Sequence, residues 1–578
     1  MNWEIFTKNS GEDKMEIEII LAAVAALIAF SIVQIYLSEK KARRVWRAKF
    51  LKEWGKIPQR EYDEEELEKI SRYFEYQLKK GRINEPYIDE ITWNDLDMDN
   101  VFTYINNTKS SAGEESLYYL LRTPVTEQKT LDERERLIHF FATHESERVD
   151  LEVCFRQIGK TRRFSINDYI DLLVTLKKES NVEHYIALLT IPIGLVLMTV
   201  FEVGVGLVVM MVLLVWNVMR YFKRRGEIQP YLTTFSHILK MLDASKEISK
   251  LKIDEVQTYV DNIADIRKKF KKFRFGSSLL MSTQRETGSL AEAFLDYIRV
   301  ATHIDLLKFN SMLEEIKQNA GEIDNLVENI GILDALISVA SFRESLPFYS
   351  LPELRETKEA FIEVKDVYHP LIVEPVANSI TEDRNVLITG SNASGKSTFL
   401  KTVAMNAILS QTIYTSISSF YRASFFQIYS SMALKDNLQG NESYYIVEIK
   451  ALKRILNHAD EEIPMLCFVD EVLRGTNTVE RISASAQILK SLSKKNVLCF
   501  AATHDIELTH MLENEYSNYH FQEEIQENDI LFNYELYRGR AVSRNAIKLL
   551  SIIGYDKEII ENAEQTATHF LKTGEWRV

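Results

Sequence analysis

Asn385-Val386-Leu387-Ile388-Thr389-Gly390-Ser391-Asn392-Ala393-Ser394-Gly395-Lys396-Ser397-Thr398 decides how this chain is read. Five residues of buried-strand character run straight into G-x-x-x-x-G-K-S, and the apolar stretch TFLKTVAMNAILS follows as a helix. With a strand before and a helix after, the glycines let backbone amides curl around phosphates at a helix N-terminus, where the helix dipole favours anions. The pattern predicts an ATP-binding loop built from Gly390, Ser391, Asn392, Ala393, Ser394, Gly395, Lys396, Ser397 and Thr398. Lys396 is expected to reach the β- and γ-phosphates and the Ser397 hydroxyl to ligate Mg2+.

Two further apolar strands lie downstream. Met465 to Val469 (MLCFV) is expected beside the first strand and ends in Asp470-Glu471. A carboxylate at that end is where the Mg2+ partner belongs, so Asp470 takes that role, and Glu471 can orient and deprotonate an attacking water. Val497 to Ala502 (VLCFAA) ends in Thr503-His504 and puts an imidazole at the same sheet edge. His504 there either attends the γ-phosphate or that water, or is an ordinary surface histidine. Cys467 and Cys499 sit inside these strands and Cys154 is far away, which excludes a disulfide framework and a cysteine-based zinc site.

The 578 residues allow two to four domains. Hydrophobic residues are 46% and charged residues 27%, with only 20 Gly and 10 Pro, which excludes a disordered or fibrous chain and predicts a helix-rich one. A net charge of −14 argues against a uniformly basic nucleic-acid binder while leaving a locally positive dimer cleft open. Residues 40–89 are basic and then charge-rich helical, a linker in pattern. Segments 90–184 and 220–344 are long apolar-periodic helices, a lever or bundle, and from 345 to 578 short β-branched runs alternate with helices as in an α/β domain.

Two hydrophobic stretches interrupt this scheme. Ile19 to Leu37 is uncharged, acidic in front (Glu16, Glu18) and basic behind (Lys40, Lys41, Arg43, Arg44, Arg47). That asymmetry predicts a transmembrane helix within 15–39, with residues 1–14 outside the cell membrane and the remainder cytoplasmic. Tyr185 to Met219 carries one charge, Glu202, and splits into two legs of about 25 Å at 1.5 Å per residue. It is expected to be a transmembrane hairpin turning at Glu202 and Gly204, giving three spans per chain; the alternative is a buried helical hairpin.

The order and wording of these motifs resemble the MutS family, DNA mismatch-repair ATPases whose ATPase domain is related to ABC cassettes. GSNASGKSTFLKTVA is similar to that family's Walker A, DEVLRGTNT (Asp470 to Thr478) to its Walker B, and ATHDIEL continues the match through His504. Tyr368-His369-Pro370-Leu371 resembles the motif that opens the domain. Asn441 to Glu448 (NESYYIVE) resembles the signature whose serine reaches the γ-phosphate held by the other subunit, which implies Ser443 as a trans contact and a homodimer. Upstream, Thr108 to Arg136 resembles the family's helical core and Leu333 to Phe342 the end of its lever. The resemblance implies transmembrane helices joined to an all-α lever and a MutS-type α/β P-loop domain. It also implies that DNA is a partner, with ATP and Mg2+ bound.

Departures from the family are specific. No G-x-F-Y-E wedge is found, Phe74-Glu75 being only a dipeptide on an amphipathic helix, so a variant without the mismatch-reading N-terminal domain is expected. The adenine-stacking phenylalanine is replaced by Pro375 in EPVAN, while Asn378 is retained among the ATP-binding residues. One basic stretch, Arg267, Lys268, Lys269, Lys271, Lys272 and Arg274 with three phenylalanines among them, suits a DNA backbone or lipid headgroups, or else a solvated helix face anchored in a core. The expected function is DNA-coupled ATP hydrolysis in a membrane-anchored dimer. The rival is an ATP-driven membrane signalling or transport device without a DNA ligand.

Overall fold

The computed structural model describes residues 33–34, 37–83, 86–161, 165–177, 180–200, 203–277, 280, 290–391, 394–432, 444–459, 462–473, 477–526, 529–541, 547, 550 and 554–576. Most of the apolar run 19–37 therefore lies outside the described residues, as do Asn392, Ala393, Glu202 and Ser443.

The helical half is organised on one helix, Ala320–Ser345. Its segment from Leu333 to Phe342 is buried on every side, which is why it shows no amphipathic stripe. Ser111–Arg122, Gln128–Thr143 and Gln257–Lys269 pack directly on it, with Glu64–Lys79 and the 46-residue helix Val203–Ile248 outside them. Two glycines permit the closest crossing. A Cβ on Gly331 would lie 2.5 Å from the Ala112 carbonyl oxygen, and one on Gly113 would lie 2.5 Å from Cγ of Asp334. The fully buried Asp334 carboxylate is met there by the backbone N–H groups of Lys109 (3.0 Å) and Ser110 (2.8 Å) and by the Ser110 hydroxyl (2.6 Å). The Ser110 hydroxyl in turn accepts from Gly113 N–H and caps the helix it begins.

Two sequence expectations are corrected here. The Glu64–Lys79 helix is not a loose connector: Ile70, Tyr73 and Phe74 enter the core, and the buried Lys69 ammonium bonds the buried Glu114 carboxylate at 2.7 Å. Phe74 is thus a core residue. The second leg of the 185–219 hairpin does not end near Met219, because the helix begun at Val203 continues through Gly226 and Pro230 to Ile248. Beyond Ile228, apolar contacts with the helical core outweigh the helix-breaking tendency of those two residues. Gly204 lies inside this helix. The first leg, Val182–Val200, packs on it at Gly194 and Gly206 and bends by 50° near Pro192.

By length and composition, Val203–Ile248 and Ala320–Ser345 are both able to cross a membrane, and the bent leg is a third candidate. Burial separates the first two. In its most apolar 18-residue window Ala320–Ser345 is 78% buried and Val203–Ile248 only 11%. The former is a core helix, and the latter presents Val208, Met211, Val212 and Met219 outward.

The C-terminal half carries two sheets. β1 (Glu353–Arg355), β5 (Phe420–Ser424), β2 (Ile362–Val367) and β3 (Asn378–Glu382) form the smaller, in that order. The larger runs β10 (Asp529–Arg538), β9 (Tyr516–Gln526), β4 (Asn385–Thr389), β8 (Val497–Thr503), β7 (Met465–Asp470), β6 (Gln427–Ser431). All are parallel except β10. Every residue of β4, β7 and β8 is buried, the pattern of a parallel sheet covered on both faces.

The two halves share one continuous apolar core. Arg343, at the end of Ala320–Ser345, donates to the Tyr414 carbonyl (2.8 Å) and the Thr415 hydroxyl (2.8 Å) and pairs with Glu135 (2.7 Å). It thereby closes the C-terminal end of the helix Lys396–Thr412, where a cation suits the helix dipole. A displacement at the phosphate end of that helix has a rigid path into the helical half.

Candidate active site

Strand β4 delivers the phosphate loop to the carboxyl edge of the larger sheet. Gly390 (φ 154°) and Gly395 (φ 104°) take backbone conformations that L side chains rarely adopt, and a Cβ on Gly390 would lie 2.9 Å from the Phe521 carbonyl oxygen. The Lys396 ammonium is folded onto the loop and donates to the carbonyls of Gly390 (2.9 Å) and Ser391 (2.8 Å). The Ser391 hydroxyl donates to Glu523 at 3.0 Å. Ser394, Ser397 and Thr398 complete the described part of the loop and line the same cleft.

The strand next to β4 is β8, so the expectation that Met465 to Val469 lies beside it is corrected: β7 is one place further out. The helix Lys396–Thr412 lies across β7 and β8 and so carries Ser397 to Asp470 all the same. The Ser397 hydroxyl donates to the Asp470 carboxylate at 2.6 Å, and Asp470 is buried. A hydroxyl and a carboxylate oxygen facing each other at the mouth of a phosphate loop are the hard donors Mg2+ takes, so these residues fit that ion.

Glu471 follows in a left-handed conformation (φ 52°), its N–H bonded to the Ala502 carbonyl at 2.9 Å. The turn swings its carboxylate to 2.8 Å from Nε2 of His504, both side chains remaining partly open to solvent. The next residue, Asp505, accepts from Nη2 (2.6 Å) and Nε (3.1 Å) of Arg481, and its hydrogen bonds push the Arg481 guanidinium above its ordinary range. The structure thus brings Glu471 and His504 together at one sheet edge. Glu448, the glutamate ending NESYYIVE, accepts the N–H of Leu473 and ties the helix Tyr444–His458 to the loop that carries Glu471.

These groups border a cleft of about 500 Å3. Lys396, Ser397 and Glu471 line it together with the apolar Val367, Ile372, Val376, Phe521 and Tyr534, a mixture of charged and apolar groups that suits a nucleotide. Pro375 lines it too. Burial, aided by the Lys401 charge, pushes His369 below its ordinary value, so it lines the cleft as a neutral ring.

Tyr534 and Glu448 were not singled out in the sequence. A bulge between Phe532 and Leu536 holds Tyr534 at φ 55°, and its ring stands 3.2 Å from where a Gly395 Cβ would be. Asn378 sets that bulge: its amide donates to the Tyr534 carbonyl at 3.0 Å and its oxygen accepts Leu536 N–H at 2.8 Å. Asn378 therefore acts on the cleft by positioning Tyr534. Replacing Tyr534 with alanine is expected to weaken binding of a fluorescent ATP analogue ~3- to 10-fold, and the phenylalanine variant to bind as wild type.

The basic stretch divides. Phe270 and Phe273 are core residues and Phe275 is 85% exposed. Lys268 pairs with Asp265 (2.7 Å), Lys269 with Glu322, and Arg274 with Asp243 (2.7 Å), so three of its six cations already have acidic partners.

Comparison with known proteins agrees with this geometry. Residues 386–571 match the family model described as MutS domain V. The chain is 29% identical over 310 residues to MutS protein homolog 4 of Mus musculus, covering 50% of this chain and 31% of that protein. It is 29% identical over 317 residues to the DNA mismatch repair protein MSH3 of Candida albicans (49% and 30%). It is 28% identical over 301 residues to the DNA mismatch repair protein MutS of Leptospira interrogans (50% and 35%). The chain spans about a third of the length of these relatives. The matched domain V takes in the phosphate loop, the carboxylate pair and the histidine, and about half of the chain is similar to these MutS and MSH proteins.

Proposed function

We propose that this chain is an Mg2+-dependent ATPase that works as a homodimer, couples ATP to DNA binding, and is anchored in the cell membrane. The observation that carries the ATPase reading is the meeting of Ser397 with Asp470 and of Glu471 with His504 at one mouth. Lys396 would leave its loop carbonyls for the β- and γ-phosphates. Glu471 would orient a water in line with the γ-phosphorus and take its proton as the new P–O bond forms; the bond to the bridging oxygen breaks, leaving ADP and phosphate. His504, within hydrogen-bond reach of Glu471, would fix that carboxylate and face the γ-phosphate. Bound Mg2+ supplies neutralisation of charge on the phosphates, with Ser397 and Asp470 holding it.

The dimer rests on the likeness of NESYYIVE to the family signature, by which Ser443 would complete the partner's site. Glu448 supports a coupling of that signature to hydrolysis, since it joins the signature helix to the Glu471 loop. DNA binding rests on the likeness to the DNA mismatch repair proteins MSH3 and MutS and is read as structure-selective or nonspecific duplex binding. Anchoring rests on the uncharged run 19–37 and on the outward apolar surface of the 185–219 hairpin, with the N-terminus outside and the ATPase domain cytoplasmic.

A second reading, an ATP-driven membrane device with no DNA ligand, is favoured by the pairing of Lys268, Lys269 and Arg274 with acids. Equilibrium binding of detergent-solubilised protein to homoduplex, mismatched and branched DNA separates the two. The DNA reading expects binding at 50 mM salt that falls ~10-fold or more by 200 mM, together with stimulated ATP turnover. No binding at low salt would select the second reading.

A further inference from the structure

Among the described residues, strand β6 is the edge of the larger sheet and pairs only with β7. An edge strand turns every second N–H outward, and a buried N–H needs an acceptor. The six-residue helix Glu90–Asp95 of the helical half covers that edge in place of a further strand. The Ser430 N–H donates to the Thr92 hydroxyl (3.1 Å) and the Met432 N–H to the Asp95 carboxylate (2.9 Å), which also accepts from the Ser430 hydroxyl (2.7 Å). All four residues are buried.

The signature helix Tyr444–His458, which follows β6 in the chain, comes back to the same short helix. Nη1 of Arg454 donates to the Asp89 carboxylate at 2.6 Å and Nη2 to the Ser430 carbonyl, while the guanidinium lies 5.6 Å from the centre of the Tyr429 ring. The other Asp89 oxygen caps Glu90–Asp95 by accepting the Thr92 N–H at 2.9 Å. That short helix is built into the helical half. Trp93 packs on Tyr118 with ring centres 4.7 Å apart, the Ile88 N–H donates to the Arg122 carbonyl at 2.8 Å, and Arg122 pairs with Glu90 at 3.1 Å. Tyr118 and Arg122 belong to Ser111–Arg122, which packs on Ala320–Ser345. Glu448 therefore ties the signature helix to the loop of Glu471, and Arg454, six residues on, ties it to the helical half.

We propose that Asp89 and Arg454 are positioning residues that carry the state of the helical half to the signature helix and so set how firmly two copies of the chain close on ATP. Ser443 immediately precedes the helix that Arg454 anchors. A shift of Glu90–Asp95 against the sheet acts on Ser430 and Met432 before Ser443 in the chain and on Arg454 after it. Neither Asp89 nor Arg454 lines the nucleotide cleft, so the pair acts on association and leaves the hold of each chain on its own ATP unchanged. This rests on the homodimer proposed above.

The test reads the dimer dissociation constant of the full chain in detergent from specific ATP turnover against protein concentration, with KM for ATP measured beside it. Asp89→Asn keeps a capping oxygen for Thr92 and removes the charge, and Arg454→Gln removes the other charge. Each is expected to raise the dissociation constant ~10-fold with KM unchanged, and the double variant to match either single one, because one interaction is lost once. Arg454→Lys, which keeps a cation opposite Asp89, is expected to recover most of the loss. Thermal melting by circular dichroism checks folding; if Asp89→Asn melts early, the contrast of Arg454→Gln with Arg454→Lys decides. An unchanged dissociation constant in the single variants, additive losses in the double variant, no recovery with lysine, or a raised KM in place of weaker association would each overturn the proposal. A wild type that stays monomeric with ATP and turns over at one rate at every concentration would overturn the dimer itself.

Discussion

Replacing Glu471 with glutamine is expected to lower ATP turnover by ~10²- to 10⁴-fold while leaving ATP bound. Those magnitudes are what the loss of a general base costs. The substitution keeps the size of the side chain and its hydrogen-bonding reach to His504, 2.8 Å away, and removes only the ability to accept the proton of water. The hydrogen bonds of Lys396 to its loop carbonyls and of Ser397 to Asp470 do not involve Glu471, so the phosphate loop and the oxygen pair for Mg2+ stay assembled. Steady-state phosphate release beside equilibrium retention of labelled ATP separates the two effects. Turnover at the wild-type rate would remove Glu471 from the chemistry.

Replacing Lys396 with alanine acts on the other side of the same event. Its ammonium is the one cation of the loop and is buried, so no neighbouring side chain of the loop can take over its charge. Charge-assisted hydrogen bonds contribute about 1.5–3 kcal/mol each, and a stabiliser of transition-state charge is worth ~10²–10³ in rate. The expected result is loss of both ATP retention and turnover, at least 100-fold. The contrast with Glu471→Gln is informative, since one variant holds ATP without cleaving it and the other does not hold it. Circular dichroism checks folding of the alanine variant, whose lysine now satisfies two loop carbonyls that water can reach once it is gone.

What the sequence made legible was local. The phosphate loop, the Asp470-Glu471 pair and His504 each stand at the end of a short apolar strand, and a strand's end fixes the sheet edge at which its next residue emerges. Strand order was not legible. Which strand neighbours β4 depends on crossover connections that no short pattern records, and β8 takes the place expected for β7. Tyr534 escaped notice because the bulge that aims it is pinned by Asn378, 156 residues earlier in the chain.

Tertiary packing overrode local signals elsewhere. KRRGEIQP, with Gly226 and Pro230, reads as the end of a helix, yet the chain stays helical to Ile248. Residues 64–79, charge-rich enough to be a solvated connector, bury Lys69 against Glu114 and so join the core. The basic stretch near residue 270 read equally as a ligand surface or as an anchored helix face. Phe270 and Phe273 in the core and the acid partners of three cations give it the second character.

The path from nucleotide to the rest of the molecule is physical. Ser397 and Lys396 begin a helix whose far end is closed by Arg343 and joined to Glu135. Arg343 ends a helix whose Asp334 holds Lys109 and Ser110 at the Gly113 and Gly331 crossing. Binding energy at the phosphates therefore meets a continuous packed route into the helical half, and a second copy bound through Ser443 would bias the same route.

Sedimentation velocity of the full chain carrying Glu471→Gln, in detergent with Mg2+ and ATP, tests the account most directly. The account predicts a dimer that retains two ATP molecules and reverts to monomer when Ser443→Ala is added. A species that stays monomeric with ATP bound would contradict it.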